Sequence, residues 1–180
     1  MTDPLGSIEQ QLKNPGGSAP PELDIWDPPL SGDIDIVIRA DGEWLHEGAQ
    51  FRRKAIVDLF SSVLRRESDG NYYLVTPVEK WRIRVEKHAL QVIDISRDST
   101  SKELIATCNH GPALSIGPEH PLKTSDDSDI PWLRCNHGLT AGLARSVWYH
   151  LVQSAETREG LLVVYSGQWA FSLGEARNEE

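Results

Sequence analysis

Apolar positions along this chain follow two periods, and one stretch of the pattern occurs twice. Leu59, Phe60, Val63 and Leu64 form a double row at helical spacing, and Val147, Trp148, Leu151 and Val152 repeat it 88 positions later without a gap. The register continues from Leu74 and Val75 to Leu162 and Val163. It ends with Trp81, Ile83 and Val85 against Trp169, Phe171 and Leu173. Each copy predicts an amphipathic helix followed by a two-stranded hairpin, so the chain reads as a tandem duplication. Two similar units packed together would leave a groove between them, a natural place for a ligand.

Around these anchors the other elements follow from local pattern. Ile34, Ile36 and Ile38 alternate with Asp35, Val37 and Arg39 as a strand, and Asp41-Gly42 supplies the turn back to Glu43–His46. A helix is predicted from Phe51 to Leu64, about four turns, ended by Ser68-Asp69-Gly70-Asn71. Strands follow at Tyr72–Thr76 and Trp81–Glu86. Further strands are predicted at Leu90–Ile95, Glu103–Thr107, Ala113–Ile116 and Trp132–Cys135, with Thr124–Asp129 as a surface loop. Thr140 is the expected N-cap of a helix over Ala141–Glu156, and strands Leu161–Tyr165 and Trp169–Leu173 complete the second unit. Trp81, Trp148 and Trp169 are expected in the core. The predicted class is α+β, a tandem duplication of antiparallel β-hairpin–helix–β-hairpin units.

Composition sets the ends. Residues 1–24 hold four prolines, Gly16-Gly17-Ser18 and few large apolar groups, a composition expected to stay flexible. The predicted organisation is therefore a tail at 1–24, an N-terminal unit at 25–95, a C-terminal unit at 96–175 and a frayed end at 176–180. Net charge is −9, with −5 over residues 1–33, zero over 34–95 and −4 over 96–180. That distribution argues against bulk nucleic-acid binding, which draws on clustered Lys and Arg. No apolar run approaches the roughly 20 residues needed to span a bilayer, and a cytoplasmic protein is expected.

Candidate chemistry is sparse. Cys108-Asn109-His110-Gly111 recurs as Cys135-Asn136-His137-Gly138. Two Cys and two His form a legitimate zinc set, but the usual spacing of two to four residues within each ligand pair is absent. A disulfide between Cys108 and Cys135 is disfavoured in a reducing compartment. His46-Glu47 lacks the second His of a zinc-protease helix, and neither a phosphate-binding glycine loop nor a serine elbow is present. The reading leans non-enzymatic, with no cofactor. Binding has better support: Arg52 and Arg53 lie at the start of one predicted helix, Arg134 precedes the other, and Arg145 lies one turn inside it. Helix N-termini and guanidinium groups both attract anions. The competing reading pairs Arg134 and Arg145 with acids. A protein-interaction role would instead use Trp26, Trp44 and Trp132 as exposed anchors.

Several segments resemble DUF1285, a family of proteobacterial proteins of unknown function. They are Trp26–Asp35, Ala40–Gly48, Arg53–Arg66, Tyr73–Ile83 with its Thr76-Pro-Val-Glu-Lys80 run, Glu119–Leu122, Arg134 to Tyr149, and Ser166 to Gly174. The resemblance implies a duplicated core, a C-terminal unit loosely similar to pleckstrin-homology domains, and a groove for a nucleotide-like ligand in signal transduction. Carried onto this chain, it implies Arg53, Thr76, Glu79 and Lys80 from the first unit and Arg134, Gly138 and Arg145 from the second as ligand-binding residues. One departure is visible: Lys87-His88-Ala89-Leu90 stands where the family tends toward Asp-Ala-Pro-Phe.

Overall fold

A computed structural model describes residues 3–13, 20–126 and 128–176. The chain divides into two compact units. Unit 1 is residues 1–89 together with His137–Leu139; unit 2 is Leu90–Asn136 and Thr140–Glu180. The division falls at Ala89, not at the expected 95, because the strand that begins at Leu90 belongs to the second sheet.

Unit 1 opens with α1 (Pro4–Lys13). This corrects the expectation of a flexible tail for that segment: Ile8 is fully buried, and one apolar side chain docked into a core offsets the weak helix preference around it. Pro15 and Gly16-Gly17-Ser18 lie outside the described residues. Next come β1 (Leu30–Ile38), β2 (Trp44–His46), β3 (Ala49–Gln50), α2 (Lys54–Ser61), β4 (Leu64–Arg66), β5 (Tyr72–Val75) and β6 (Lys80–Val85). Ile34, Ile36 and Ile38 alternate inward as predicted, and Gly42 turns the chain into β2 at φ +88°. The helix is shorter than its apolar row. Val63 and Leu64 are fully buried but leave the helix, because Ser62 closes it through its Oγ–H to the Leu59 carbonyl (2.6 Å). Leu64 then enters a ladder with Leu74.

Strand order in unit 1 is β3-β2-β1-β6-β5-β4, antiparallel throughout except for the central β1–β6 pair, which runs parallel. Two ion pairs bridge that seam on its exposed face: Arg82 to Asp33 (2.6 Å) and Arg84 to Asp35 (2.6 Å).

Unit 2 contains β7 (Leu90–Arg97), β8 (Leu104–Cys108), β9 (Leu114–Ser115), β10 (Leu122–Ser125), β11 (Ser128–Arg134) and β12 (Thr140–Leu143). It continues with α3 (Arg145–Ser154), β13 (Glu156–Arg158), β14 (Leu161–Ser166) and β15 (Trp169–Glu175). Its first sheet has the order β9-β8-β7-β12-β11-β10, again with one parallel pair (β7–β12) at the centre. The two six-stranded sheets therefore share one topology: two antiparallel three-stranded meanders joined edge to edge through their first and last strands. β13-β14-β15 forms a further antiparallel sheet. The fold is α+β, with two similar units plus this C-terminal sheet.

Three local expectations change. Thr140 starts a strand instead of capping a helix, since Ala141 and Leu143 are buried at period two and pair with Leu90 and Val92. Thr124–Asp129 is the tip of the β10–β11 hairpin, not a free loop (Asp127 is outside the described residues). Trp169 is 42% exposed and no core residue, while Trp81 and Trp148 are half-buried. The end expected to fray at 176–180 falls outside the described residues from 177 onward. Ser166 shows how unit 2 is tied internally. Fully buried, it donates to the Ile116 carbonyl (2.6 Å) and accepts the Leu104 N–H (2.7 Å), satisfying two backbone groups that burial would otherwise leave unpaired.

Candidate functional site

Within unit 1 the Thr76–Lys80 run is the turn between β5 and β6. Thr76 is fully buried; its N–H bonds the Glu79 carbonyl (2.9 Å) and its Oγ accepts the Glu79 N–H (3.0 Å). The threonine thus closes the turn on itself, a local side-chain-to-backbone lock. Its hydroxyl is committed to that role.

The turn sends its two charged side chains to different partners. Lys80 lies 3.2 Å from both oxygens of Glu67 and 5.1 Å from the centroid of the Tyr73 ring. Arg65 donates to Glu67 Oε1 at 2.5 Å and to the carbonyls of Leu23 (2.5 Å) and Trp26 (2.8 Å). Burial alone would raise the Glu67 pKa; hydrogen bonds from Arg65 and Lys80 more than offset it, and the carboxyl is held below its usual range. Beside it, Asp69 accepts the Tyr73 hydroxyl (2.6 Å) and both the backbone and side-chain N–H of Asn71, which lower its pKa to about 2.

Glu79 faces α1. Ser7 Oγ–H lies 3.1 and 3.0 Å from its two oxygens, Gln11 Nε2 donates at 3.0 Å and Trp81 Nε1 at 3.4 Å. The members of this network that the sequence did not reveal are Ser7, Gln11, Arg65 and Glu67. A signal existed for the first two, since Ser7, Ile8 and Gln11 share one helical face, but the surrounding prolines and glycines obscured it.

Gly138 also belongs to unit 1. It has φ +72°, and a Cβ there would meet the Arg66 carbonyl oxygen at 2.6 Å. The neighbouring His137 carbonyl accepts the Arg66 N–H (3.0 Å), and its ring Nδ1 lies 3.1 Å from Asp24. Glycine at 138 is thus required by close backbone approach. Arg53 is exposed at the N-cap of α2 with extended backbone.

In unit 2, Arg145 is the first residue of α3 and is exposed. Arg134, also exposed, donates to the Glu119 carbonyl at 3.3 Å, and among the described residues no acid pairs with it. Cys108 and Cys135 are free, buried thiols that hydrogen-bond each other. That bond lowers the Cys108 pKa, while the same bond together with burial pushes Cys135 up. Among the described residues no group of three or more His, Cys, Asp or Glu side chains is gathered, and His137 turns to Asp24. A depression of about 200 Å³ between β7 and α3 is smaller than the roughly 300–1,000 Å³ of ordinary small-molecule sites. The aromatic-anchor reading also loses support, because Trp44 is buried and Trp26 and Trp132 are half-buried. No described helix is long and apolar enough to cross a membrane.

Paired three-stranded meanders with a parallel central seam, repeated in tandem, define an α+β protein of two related units. Residues 20–88 match the N-terminal domain of a family described as "Domain of unknown function (DUF1285)", and residues 88–173 match its C-terminal domain. The chain belongs to the DUF1285 family. It is similar to the crystal structure of a DUF1285 family protein from Silicibacter pomeroyi DSS-3, with 30% identity, TM-score 0.85 and coverage of 97% of each chain. A DUF1285 family protein from Shewanella baltica OS155 is also similar, at 28% identity and TM-score 0.56 over 67% of this chain and 91% of that one. No curated protein matches the chain.

Proposed function

We propose that this is a non-enzymatic binding protein for an anionic, nucleotide-like small molecule. The observation that carries the reading is shared by α2 and α3. Neither helix has a side chain capping its N-terminus, neither has an acid in its first turn, and each begins at an exposed arginine, Arg53 or Arg145. Open N–H groups, the positive end of the helix dipole and a guanidinium fork all favour phosphate or carboxylate. Thr76, Glu79 and Lys80, by contrast, already have partners within unit 1, so the arginines are the better candidates for ligand contact.

Thermal unfolding of the full chain with a panel of nucleoside mono-, di- and triphosphates and cyclic nucleotides tests this. A ligand that binds only the native state at 100 times its Kd stabilises by about 2.7 kcal/mol. A shift with at least one nucleotide, reduced by Arg53→Ala or Arg145→Ala, is expected. No shift across the panel, or shifts indifferent to both substitutions, would refute the reading.

A further inference from the structure

The Cys-Asn-His-Gly repeat brings together two thiols that the anion reading leaves unused. Cys108 is the last residue of β8, and Cys135 directly follows β11. These strands are not neighbours in the sheet, since β7 and β12 lie between them. Laid flat, three strand spacings would separate them by about 14 Å, so the thiols meet because the sheet curls. They are the two cysteines of the chain, both free and both buried.

The two members of the pair are held differently. Asn109 donates its N–H to the Gln91 carbonyl (2.8 Å) and accepts the Gln91 N–H on its side chain (2.9 Å), which pins Cys108 against β7. Cys135 stands between the end of β11 and the His137-Gly138 turn, and its S–H has a second acceptor in the Leu133 carbonyl at 3.7 Å. Donated to Cys108 instead, that S–H favours the thiolate there. A pinned sulfur that ionises more readily, beside a second sulfur outside any strand, is the arrangement of an attacking and a resolving cysteine. Both thiols sit at strand ends, where local opening exposes them without unfolding the unit.

We infer that Cys108 and Cys135 form a hydroperoxide-responsive pair, oxidised in the native protein to an intramolecular disulfide that staples β8 to β11. The Cys108 sulfur attacks one oxygen of a hydroperoxide, ROOH; the O–O bond breaks, ROH leaves with the thiol proton, and Cys108 becomes a sulfenic acid. The Cys135 sulfur then attacks the Cys108 sulfur, the S–O bond breaks, and the hydroxyl leaves as water with the Cys135 proton. Two thiols and ROOH thus give one disulfide, ROH and water: the sulfurs lose two electrons and the peroxide gains them. In a reducing compartment such a bond is transient, because a dithiol reductant returns both thiols. The pair is independent of the anion reading, which concerns Arg53 and Arg145.

The test treats the reduced full chain with a slight excess of hydrogen peroxide, then alkylates it and measures intact mass. The expected product is a monomer lighter by two hydrogens that takes up no iodoacetamide and is restored by dithiothreitol. Cys135→Ser should stop at a Cys108 sulfenic acid, trapped by dimedone, and Cys108→Ser should react roughly tenfold more slowly than Cys135→Ser. Urea below the unfolding transition should leave the wild-type oxidation rate nearly unchanged, because a strand end exposes little surface when it opens. Oxidation that tracks the unfolded fraction as urea rises would reduce the pair to an ordinary buried contact and overturn the inference. Disulfide-linked dimers, sulfinic acid in place of the disulfide, or equal reactivity of the two single variants would overturn it as well. Should a serine variant fail to fold, the mass and the urea series of the wild-type chain decide the matter.

Discussion

The two Cys-Asn-His-Gly copies provide a controlled comparison of one substitution in two settings. Gly111 and Gly138 both adopt left-handed backbone, at φ +84° and +72°. Alanine in that region costs about 1–2 kcal/mol at either site. The surroundings differ. A Cβ at Gly111 meets nothing within 4 Å, whereas one at Gly138 sits 2.6 Å from the Arg66 carbonyl oxygen and 3.3 Å from Arg66 Cβ. Because the nearest atom is backbone, relief requires the 137–139 segment and β4 to separate. That movement puts at risk the Arg66 N–H bond to the His137 carbonyl, worth about 1 kcal/mol net, and overpacking strain adds about 1–3 kcal/mol. Gly111→Ala should therefore lose about 1–2 kcal/mol and Gly138→Ala about 3–6 kcal/mol. Urea unfolding of both variants beside wild type, followed by tryptophan fluorescence, measures the difference. Equal losses, or a Gly138→Ala loss under about 1 kcal/mol, would show that the close approach at Arg66 does not constrain the chain.

Two further outcomes follow from the charged cluster in unit 1. Glu67→Gln should destabilise by about 2–3 kcal/mol in chemical denaturation, because it leaves Arg65 and Lys80, 14% and 13% exposed, without their counter-charge. Asp58→Asn, which breaks an exposed pair with Lys54 (75% and 41% exposed), should change stability by no more than about 0.5 kcal/mol; comparable losses would contradict the burial argument. Asp69 should titrate near pH 2 by carboxyl NMR. Its pKa is depressed in the fold, so its contribution to stability is full above the ordinary value of 3.8 and fades as pH falls toward 2. Tyr73→Phe removes the largest cause and should bring the midpoint back toward 3.8; an unmoved midpoint would rule out the hydroxyl as that cause.

Period-two burial in β1 was legible because Ile34, Ile36 and Ile38 alternate with Asp35, Val37 and Arg39 over enough residues to exclude a helix. The ends of both helices were not. Val63 and Leu64 continue the helical row of α2 yet belong to the next turn and strand, and Ala141 and Leu143 precede α3 as a strand, since a short apolar pair fits either period. The ungapped 88-residue offset is likewise approximate. The helices begin 91 positions apart (Lys54, Arg145), but the strands that follow begin 89 apart (Tyr72 and Leu161, Lys80 and Trp169). The deeper likeness, six strands in one order, was hidden because pairing of β1 with β6 leaves no local trace in the sequence. The same holds for the site. Turn chemistry at Thr76 was readable, whereas the partners of Glu79 and Lys80 lie 68 to 72 and 13 positions away.

The parallel seam also bears on how the chain is made. Leu30 pairs with Lys80 and Leu90 with Ala141, so the middle of each sheet joins residues about fifty positions apart. On a ribosome adding about 5–20 residues per second, β1 waits roughly 3–10 seconds for its neighbour to emerge. During that interval Ile34, Ile36 and Ile38 stand along an open edge, and the second sheet then repeats the delay. Nascent-chain chaperones therefore have two successive windows on every polypeptide, each closed by the arrival of a single strand.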